Sequence, residues 1–484
     1  MFGKLRIYNT LSGKKEILKP LKNERVNLFV CGPTVYDFSH IGHARTCIIF
    51  DCFVKYLSAM GFKVFYLQNI TDIDDKIIAR AKESQVTPKN LAKTFEKDYF
   101  KNMKLLGVNS VNKYARATDY IKEIISQVKR LLDKGYAYKL EDGIYYNIKK
   151  FQSYGKLSGR TVLQADDAVS RIDYSKNKKN RGDFCLWKFS RAEEPSWSAS
   201  FGLPSQLSPD ESWEGAGRPG WHIEDTAITE KFFGPQYDIH GGSRDLIFPH
   251  HEAEISQMEA ISGKKPMAKY WMHTGFLTIE GQKMSKSLNN FITIEAFLKR
   301  YPYRYLRFWI AKNLWRSPIN YSESTMLEVK SSLEKIGEFL RKIQIIKNGV
   351  GKARGSANLN KILKDARTIF YKSLDDNFNT PKAFAAVFEL VKKANTLLDQ
   401  NVLSPKNAAD THKFFEEIDR VFGFIDFDSL KKSNVPDDVK KLFRERENYR
   451  KSENWAKADE VRIEIEKYGF SVEDTKSGTV IKKM

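Results

Sequence analysis

The stretch CGPTVYDFSHIGHAR, residues 31–45, joins two apolar segments of different periodicity. Before it, residues 26–30 form a short apolar run that is typical of a buried strand. After it, apolar residues recur at helical spacing; they are Ile48, Ile49, Phe53, Val54 and Leu57. Residues 32–43 are therefore predicted to form a strand-to-helix turn in an α/β unit. Such a turn presents backbone N–H groups and a helix dipole, which suit an anion such as phosphate.

Two histidines, His40 and His43, lie three residues apart in this turn, with Gly42 between them. On the first turn of a helix, both imidazole rings face the same way. The glycine lets a flat ligand approach the backbone closely. The pattern indicates a nucleotide site built from imidazoles. A buried or solvated histidine pair without a ligand is the alternative.

A second candidate segment is KMSKS, residues 283–287, which lies between Gly281 and Asn289. Glycine and asparagine are typical of loops. Lys283 and Lys286 are spaced so that both could contact the phosphates of one ligand, and a solvated surface loop is the alternative. The stretch HIGH, residues 40–43, followed later in the chain by KMSKS resembles the two signatures of the class I aminoacyl-tRNA synthetases. In that class the two signatures bracket ATP.

The length and the charge limit the class of protein. A chain of 484 residues is too long for one hydrophobic core and predicts about two to four domains. The formal net charge of +21 favours a polyanionic partner, with nucleic acid as the first candidate. A basic composition that serves only solubility is the alternative.

The cysteines and the apolar runs indicate the compartment. The four cysteines have no paired spacing, which favours a reducing cytosol over a disulfide scaffold; they are Cys31, Cys47, Cys52 and Cys185. No apolar run approaches the ~18 residues of a membrane span. The first residues lack the apolar core of a signal peptide. We therefore expect a cytoplasmic protein with no membrane partner.

Residues 61–70 are predicted to form a second strand of the α/β unit. A strand, a helix and a strand in that order predict parallel pairing with a right-handed crossover. Thr71 and the acidic residues after it follow this strand, and ligands of open α/β sheets bind outside the carboxyl ends of strands. Capping of the next helix is the alternative role of these residues, and both roles can hold.

The chain is predicted to contain a Rossmann-like α/β catalytic domain with an insertion, an all-α tRNA-binding bundle and a small C-terminal α+β unit. An amphipathic helix at residues 121–134 and a hairpin strand near 142–147 mark the insertion. A helical, charged stretch at residues 439–468 and a hairpin after it mark the C-terminal unit. The predicted segments are 1–115 and 190–300 for the catalytic fold, 116–189 for the inserted connective domain, 301–322 for a linking segment, 323–422 for the bundle and 430–484 for the anticodon-binding unit.

The pair His250 and Glu254 lies four residues apart, so the two side chains share one face if the segment is helical. Such a pair supplies half of a metal site, and Cys31 could add a soft ligand from the first loop. A hydrogen bond along the helix face is the alternative.

Several long segments in one order narrow the resemblance to the cysteinyl-tRNA synthetase family, along the whole chain. Besides KMSKS they are residues 29–37, 69–76, 154–160, 217–224 and 239–254. The resemblance implies ATP-dependent ligation of cysteine to tRNA(Cys) through a cysteinyl-adenylate. Its implied partners are tRNA(Cys), ATP and L-cysteine, and we expect a monomer.

The resemblance implies one zinc ion per chain, bound by Cys31, position 225, His250 and Glu254. Position 225 is Asp rather than the cysteine of the family. Three alternatives stay open: Asp225 ligates zinc through oxygen, the site has three ligands, or zinc is lost. We favour a retained site, because a carboxylate keeps the negative charge of a thiolate. The family's third glycine in HGGG is Ser243 here, which matters only if that backbone needs a positive φ.

The resemblance also assigns roles to single residues. The groups that stabilise phosphoryl transfer, with Mg²⁺ on the phosphates, are His40, His43, Lys283 and Lys286. The ATP-binding residues are Gly42, Gly241, Gly242, Asp245 and Lys286. The amino-acid pocket contains Thr71 and Trp221. The residues that contact unstacked anticodon bases are Arg450, Trp455, Asp459 and Asp474. Anchoring of its helix against the hairpin is the alternative role of Trp455.

Two other functions compete with this one. A cysteine ligase with a non-tRNA acceptor would use the same core, but the basic charge and the C-terminal segments argue against it. A non-catalytic tRNA-binding relic of a synthetase is the other, and the intact HIGH and KMSKS segments argue against it.

Overall fold

The computed structural model describes residues 4–160, 177–201, 216–284, 290–348, 357–431, 436–475 and 478–483. Lys286 lies outside these residues. The chain forms two compact units. The first comprises Met1–Met326, Tyr371–Ala383 and Val421–Gly423, and the second comprises Leu327–Phe370, Phe384–Arg420 and Phe424–Met484. In the described ranges, every helix is too short or too polar to cross a membrane.

The first unit contains fourteen strands and eight α-helices among its described residues. The strands are β1 (Arg6–Asn9), β2 (Lys14–Ile17), β3 (Arg25–Val30), β4 (Lys63–Ile70), β5 (Lys113–Arg116), β6 (Ala137–Leu140), β7 (Gly143–Tyr146), β8 (Phe184–Phe189), β9 (Gly217–Pro219), β10 (Tyr237–Ser243), β11 (Ala268–Thr274), β12 (Leu277–Ile279), β13 (Gln282–Lys283) and β14 (Ile319–Tyr321). The helices are α1 (Ile41–Ala59), α2 (Asp75–Glu83), α3 (Pro88–Leu105), α4 (Ile121–Asp133), α5 (Ile223–Phe233), α6 (His250–Ser262), α7 (Ile294–Arg300) and α8 (Tyr303–Ala311).

A five-stranded parallel sheet forms the centre of this unit, with the strand order β11-β10-β3-β4-β5. The strands predicted on either side of the first helix are β3 and β4, and their parallel pairing is confirmed. In a parallel sheet, the carboxyl ends of the strands meet at one edge. The chain leaves β3 at Cys31 and β4 at Thr71, and β10 ends at Ser243, so the candidate site residues collect at this edge.

The inserted segment forms an antiparallel sheet, β6-β7-β8-β9, beside the predicted helix, which is α4. Strand β9 lies beyond residue 189, so the sheet continues past the predicted end of the insertion. The sequence pattern missed β9 because the strand has three residues and contains both Gly217 and Pro219. A separate small sheet, β13-β12-β14, carries Lys283. The predicted domain boundaries stay predictions.

Most residues of the remaining elements belong to the second unit. They are α9 (Glu323–Lys347), α10 (Ala357–Asp375), α11 (Thr380–Asp399), α12 (Pro405–Phe422), α13 (Phe427–Lys431), α14 (Asp437–Lys451), α15 (Trp455–Lys467), β15 (Phe470–Thr475) and β16 (Gly478–Lys483). The predicted helical stretch 439–468 is thus two helices, and Glu453 between them has a φ of 55°. Helices α14 and α15 and strand β15 share a small apolar core. Its buried residues are Val439, Val461, Ile465, Phe470 and Val472.

The close packing of α1 on the sheet gives a first testable prediction. A Cβ added to Gly241 would lie 2.3 Å from Cζ of the buried Phe50. We expect Gly241→Ala to lower the free energy of unfolding by about 1–3 kcal/mol, because the core has no room for the methyl group. Chemical denaturation measures the change.

The matched control is Gly337→Ala within α9, where the nearest contact of an added Cβ is Arg341 Nη1 at 3.8 Å. There alanine should stabilise the helix by about 0.5–1 kcal/mol. Equal stability of Gly241→Ala and the parent protein would show that the sheet and α1 separate easily, contrary to this packing.

Candidate active site

The two histidines of the opening turn lie together at the start of α1. His40 is the N-cap residue, and its Nδ1 accepts hydrogen bonds from the backbone N–H groups of Gly42 (3.1 Å) and His43 (3.3 Å). The two rings stack with centroids 3.7 Å apart. The prediction that both rings face the same way is confirmed. Because Nδ1 of His40 accepts, its Nε2 carries the proton and is a donor.

Both imidazoles are neutral at neutral pH. Burial and, to a smaller extent, the neighbouring His43 together lower the pKa of His40 to about 2. Burial also lowers the pKa of His43 to about 4, against the opposing effect of Asp245. The pair therefore offers N–H donors rather than positive charge to a bound phosphate.

The lysine-bearing strand β13 ends next to this turn. A Cβ added to Gly42 would lie 2.8 Å from Nδ1 of His40 and 3.3 Å from Cε of Met284. Gly42 is therefore needed for the packing of its own turn, besides any approach of a ligand. The segment after KMSKS also pairs with the turn, since Ile41 N donates to Ile292 O at 3.1 Å. The structure thus brings the Met284 side chain and the segment after KMSKS to the histidine turn.

The end of β10 contributes the third side of this region. Gly241 O accepts a hydrogen bond from Cys31 N at 3.1 Å, which continues the sheet into the first loop. Ser243 has a φ of −79°, so this position does not require glycine and the departure from the family is tolerated. The Ser243 hydroxyl donates to Asp245, which is exposed. A Cβ added to Gly242 would lie 2.8 Å from Cε1 of His251.

The predicted metal ligands converge at the carboxyl edge of the sheet. One potential ligand atom from each of Cys31, Asp225, His250 and Glu254 lies within 4.8 Å of the others. Nε2 of His250 lies 3.0 Å from Asp225 Oδ2 and 3.0 Å from Glu254 Oε1. Sγ of Cys31 lies 3.5 Å from Asp225 Oδ2. Asp225, His250 and Glu254 are buried, and Cys31 is half-buried.

The charges in this cluster are unbalanced. Burial raises the pKa of the Cys31 thiol, and Asp225 and Glu254 raise it further. The pKa of Glu254 is raised to about 7, because burial raises it by more than His250 lowers it. Burial alone would lower the pKa of His250, but Glu254 and Asp225 raise it to about 10. Among the described residues, Asp225 Oδ1 and both Glu254 oxygens are buried without a well-formed hydrogen bond. A divalent cation would satisfy these oxygens, so the donor set fits a metal ion.

Sequence reasoning missed two histidines of this cluster, His240 and His251. Nε2 of His251 lies 3.1 Å from Cys31 Sγ, and Nε2 of His240 lies 3.5 Å from it. With Cys31 and Glu254 they form a second set of four potential ligands within the same distance of one another. His251 follows His250 directly and does not share its helical face, so the helical spacing that singled out His250 excluded His251.

The predicted amino-acid pocket lies beside the cluster. Trp221 stacks on His250 with ring centroids 4.3 Å apart and is 37% exposed. The Thr71 hydroxyl donates to Glu224, a buried residue that sequence reasoning missed although it ends the segment 217–224. Asp74 is the N-cap of α2, whereas Thr71 lies beside the cluster. Helix capping by one residue of this segment is therefore compatible with ligand contact by another.

Comparison with known proteins gives the family. The description "tRNA synthetases class I (C) catalytic domain" matches residues 17–331, "DALR domain" matches 369–426, and "Cysteinyl-tRNA ligase anticodon binding domain" matches 432–480. A cysteine–tRNA ligase of Thermococcus gammatolerans is 41% identical over 99% of both chains. The chain belongs to the cysteinyl-tRNA synthetase family. A cysteine–tRNA ligase of Thermoplasma volcanium is 43% identical over 98% of this chain and 99% of that one.

Solved structures of class I synthetases share the fold of this chain. Mycobacterium tuberculosis methionyl-tRNA synthetase with methionyl-adenylate has a TM-score of 0.61 and 14% identity, over 82% of this chain and 92% of that one. An Agrobacterium radiobacter leucyl-tRNA synthetase in a ternary complex has a TM-score of 0.62 and 10% identity, over 84% of this chain and 85% of that one. The predicted family and fold class are confirmed.

The anticodon-binding segment of the synthetase holds the four predicted contact residues near one another. Asp474 binds both Arg450 and Arg446, the second at 2.8 Å. The pKa of Asp474 is lowered, chiefly by its hydrogen bond with Arg446. Trp455 is 57% exposed, which argues against the alternative that it anchors α15, and the Arg450 guanidinium lies 5.7 Å from its ring. Asp459 is exposed one turn further along α15.

The contact between Thr71 and Glu224 gives a second prediction. We expect Thr71→Val to lower the free energy of unfolding by about 1–3 kcal/mol, because the buried carboxyl loses its hydroxyl donor. Thr71→Ser keeps the hydroxyl and is the control, with a smaller loss. Urea unfolding of the two variants measures the difference, and equal stabilities would mean that the hydroxyl is not required by Glu224.

Proposed function

We propose that the protein activates cysteine with ATP and transfers it to tRNA(Cys). The observation that carries this proposal is the stacked, neutral His40–His43 pair, with Met284 of the KMSKS segment beside it and a buried cluster of sulfur, nitrogen and oxygen donors at the same edge of the sheet. The family descriptions that match the chain support the same activity. These family descriptions give no support to the two alternatives, which are a non-catalytic, tRNA-binding relic of a synthetase and a cysteine ligase with a non-tRNA acceptor.

The first step forms cysteinyl-adenylate. A carboxylate oxygen of cysteine attacks the α-phosphorus of ATP, the bond to the bridging oxygen breaks, and pyrophosphate leaves. Negative charge on the phosphoryl oxygens is stabilised by donors that are already in place. In the proposed arrangement, His40 and His43 supply neutral N–H donors, and Lys283 and Lys286 supply positive charge. Mg²⁺ accompanies the phosphates of ATP.

The glycines and Asp245 bind the nucleotide in this proposal. Gly42 lies at the start of α1, and Gly241 and Gly242 lie at the end of β10. Ligands of open α/β sheets bind at this edge, which supports contact of the three glycines with the nucleotide. Asp245 is exposed beyond β10, and its position supports contact with the ribose or with the ammonium group of cysteine.

The residues that would hold a zinc ion are Cys31, Asp225, His250 and Glu254. A zinc ion there would accept the thiolate of cysteine as a ligand, for which the hydroxyl of serine is a poorer substitute. Trp221 and Thr71 then enclose the small side chain. Asp225 keeps a negative charge at the position of the family's cysteine, and its unsatisfied Oδ1 supports a role as ligand.

The second step transfers cysteine to RNA. A ribose hydroxyl at the 3′ end of tRNA attacks the carbonyl carbon of the adenylate, and AMP leaves, without a covalent enzyme intermediate. In the C-terminal unit, Arg450, Trp455, Asp459 and Asp474 are proposed to bind anticodon bases by stacking and hydrogen bonding. The exposure of Trp455 beside Arg450 supports this role.

ATP–pyrophosphate exchange tests the activity. We expect exchange with cysteine and not with serine, and charging of tRNA(Cys) but not of other tRNAs. His43→Asn should reduce kcat for exchange by about 10²- to 10³-fold, because a donor to the phosphoryl oxygens is lost. His412→Asn, a buried histidine of α12, is the matched control and should retain activity. A protein that exchanges with no amino acid would favour the relic instead.

Metal content tests the proposed ligands separately from activity. We expect about one zinc per chain in the parent protein and loss of zinc in Asp225→Ala. After replacement by Co²⁺, the thiolate-to-cobalt absorption should be stronger in Asp225→Cys than in the parent protein, because a second thiolate then binds the metal. The control is Asp238→Asn, which changes a buried carboxylate on β10 outside the cluster. It should leave the zinc content and the cobalt spectrum unchanged. Unchanged spectra in Asp225→Cys would exclude position 225 as a ligand.

A further inference from the structure

The buried Arg45 lies two residues after His43 and joins three separate parts of the first unit. Its side chain is 2% exposed. The guanidinium donates to the backbone carbonyls of Phe276 and Ser317, and to that of Trp315 at 3.2 Å. Among the described residues, no carboxylate pairs with it, whereas the buried Arg307 pairs with Asp51 at 2.8 Å. Backbone carbonyls therefore compensate the charge of Arg45.

The accepting carbonyls lie at the base of the small sheet that carries Lys283. Phe276 directly precedes β12, and Trp315 and Ser317 precede β14. The carbonyl of Phe276 also accepts from Ile319 N at 2.9 Å, and that of Trp315 accepts from Gly275 N at 3.0 Å. Arg45 thus binds two backbone segments that are already paired with each other.

The two segments leave little room for a shift at this junction. A Cβ added to Gly275 would lie 2.3 Å from the carbonyl oxygen of Ser317. The next residue of α1, Thr46, also contacts this region, since its Oγ1 lies 2.9 Å from Thr274 Oγ1 at the end of β11. The distance between the start of α1 and the base of the small sheet is therefore fixed by several short contacts, of which only Arg45 reaches both backbone segments.

We propose that Arg45 is a positioning residue that holds the sheet carrying Lys283 against the His40–His43 turn during adenylate formation. The inference rests on the proposed function, in which Lys283 acts on the phosphates. A shift of the lysine by about 1 Å would cost roughly 10²-fold in rate, so an anchor at the base of the sheet is required. Arginine can bind carbonyls on both segments at once, because its N–H donors are spread over a planar guanidinium. The donors of lysine all lie on one nitrogen atom.

A double-mutant cycle tests this coupling through pyrophosphate exchange. We expect Arg45→Met to lower kcat by about 10- to 100-fold while KM for cysteine stays within about twofold, because phosphate contacts move and the amino-acid pocket does not. Lys283→Ala should then have little further effect in the Arg45→Met background. Arg45→Lys should restore only part of the rate. If Arg45→Met does not fold, Arg45→Lys replaces it in the cycle.

The matched control is Arg307→Met. Arg307 is equally buried, also donates to backbone carbonyls and contacts α1 through Asp51, but its acceptors are Leu106, Gly107 and Phe422. In this background, Lys283→Ala should keep its full effect. If the effects of Arg45→Met and Lys283→Ala multiply instead, the proposal for Arg45 is overturned and the proposed function stands.

A readout without catalysis separates the two proposals. Amide hydrogen exchange at residues 276–284 should be faster in Arg45→Met than in Arg307→Met. If Lys283→Ala alone does not slow pyrophosphate exchange, the role proposed for Lys283 fails, and hydrogen exchange then decides whether Arg45 anchors the sheet. Equal hydrogen exchange in both arginine variants would overturn the anchor.

Discussion

The backbone ladder that joins β10, β3 and β4 sets the position of every group in the candidate site. The ladder continues beyond the strands, since Cys31 N donates to Gly241 O and Thr71 N donates to Pro33 O, both at 3.1 Å. These bonds hold the first loop against the ends of two neighbouring strands. They also explain Gly32, whose added Cβ would lie 1.8 Å from the carbonyl oxygen of Asn69. Any side chain at that position would force the ladder apart.

Around this edge, the site divides into two electrostatic regions. The turn at the start of α1 holds imidazoles that burial keeps neutral, so they can donate to an anion without repelling a cation bound to that anion. The cluster around Cys31 instead gathers acidic groups that have no cation among the described residues except a protonated His250. The same burial thus has opposite consequences, because it acts on bases in one region and on acids in the other.

The sequence predicted the fold where apolar periodicity was strong. The strands at residues 26–30 and 61–70 and the helix between them form as expected, because most of their apolar residues are buried. The three-residue strand β9 is held by its partner β8 rather than by any pattern of its own, and it was missed. The break between α14 and α15 was also missed. Glu453 adopts a positive φ there, which a glutamate in the sequence does not predict.

The candidate site was predicted less completely than the fold. The pair His250 and Glu254 was found because both lie on one helix at a known spacing. His240 and Glu224 reach the same region from other elements, and only the packing of the sheet brings them there. Arg45 was quoted in the opening stretch, but its acceptors lie more than two hundred residues away and no local rule identifies backbone carbonyls as partners.

The ion pair between Arg450 and Asp474 has a consequence for the proposed binding of anticodon bases. In that proposal, a base that engages either side chain competes with the other, so recognition is an exchange of partners rather than a simple addition. Salt weakens this partly exposed pair in the free protein, just as it weakens contacts with phosphate in the complex. The two effects oppose each other, so the affinity for RNA falls less steeply with ionic strength than the number of basic contacts alone would imply.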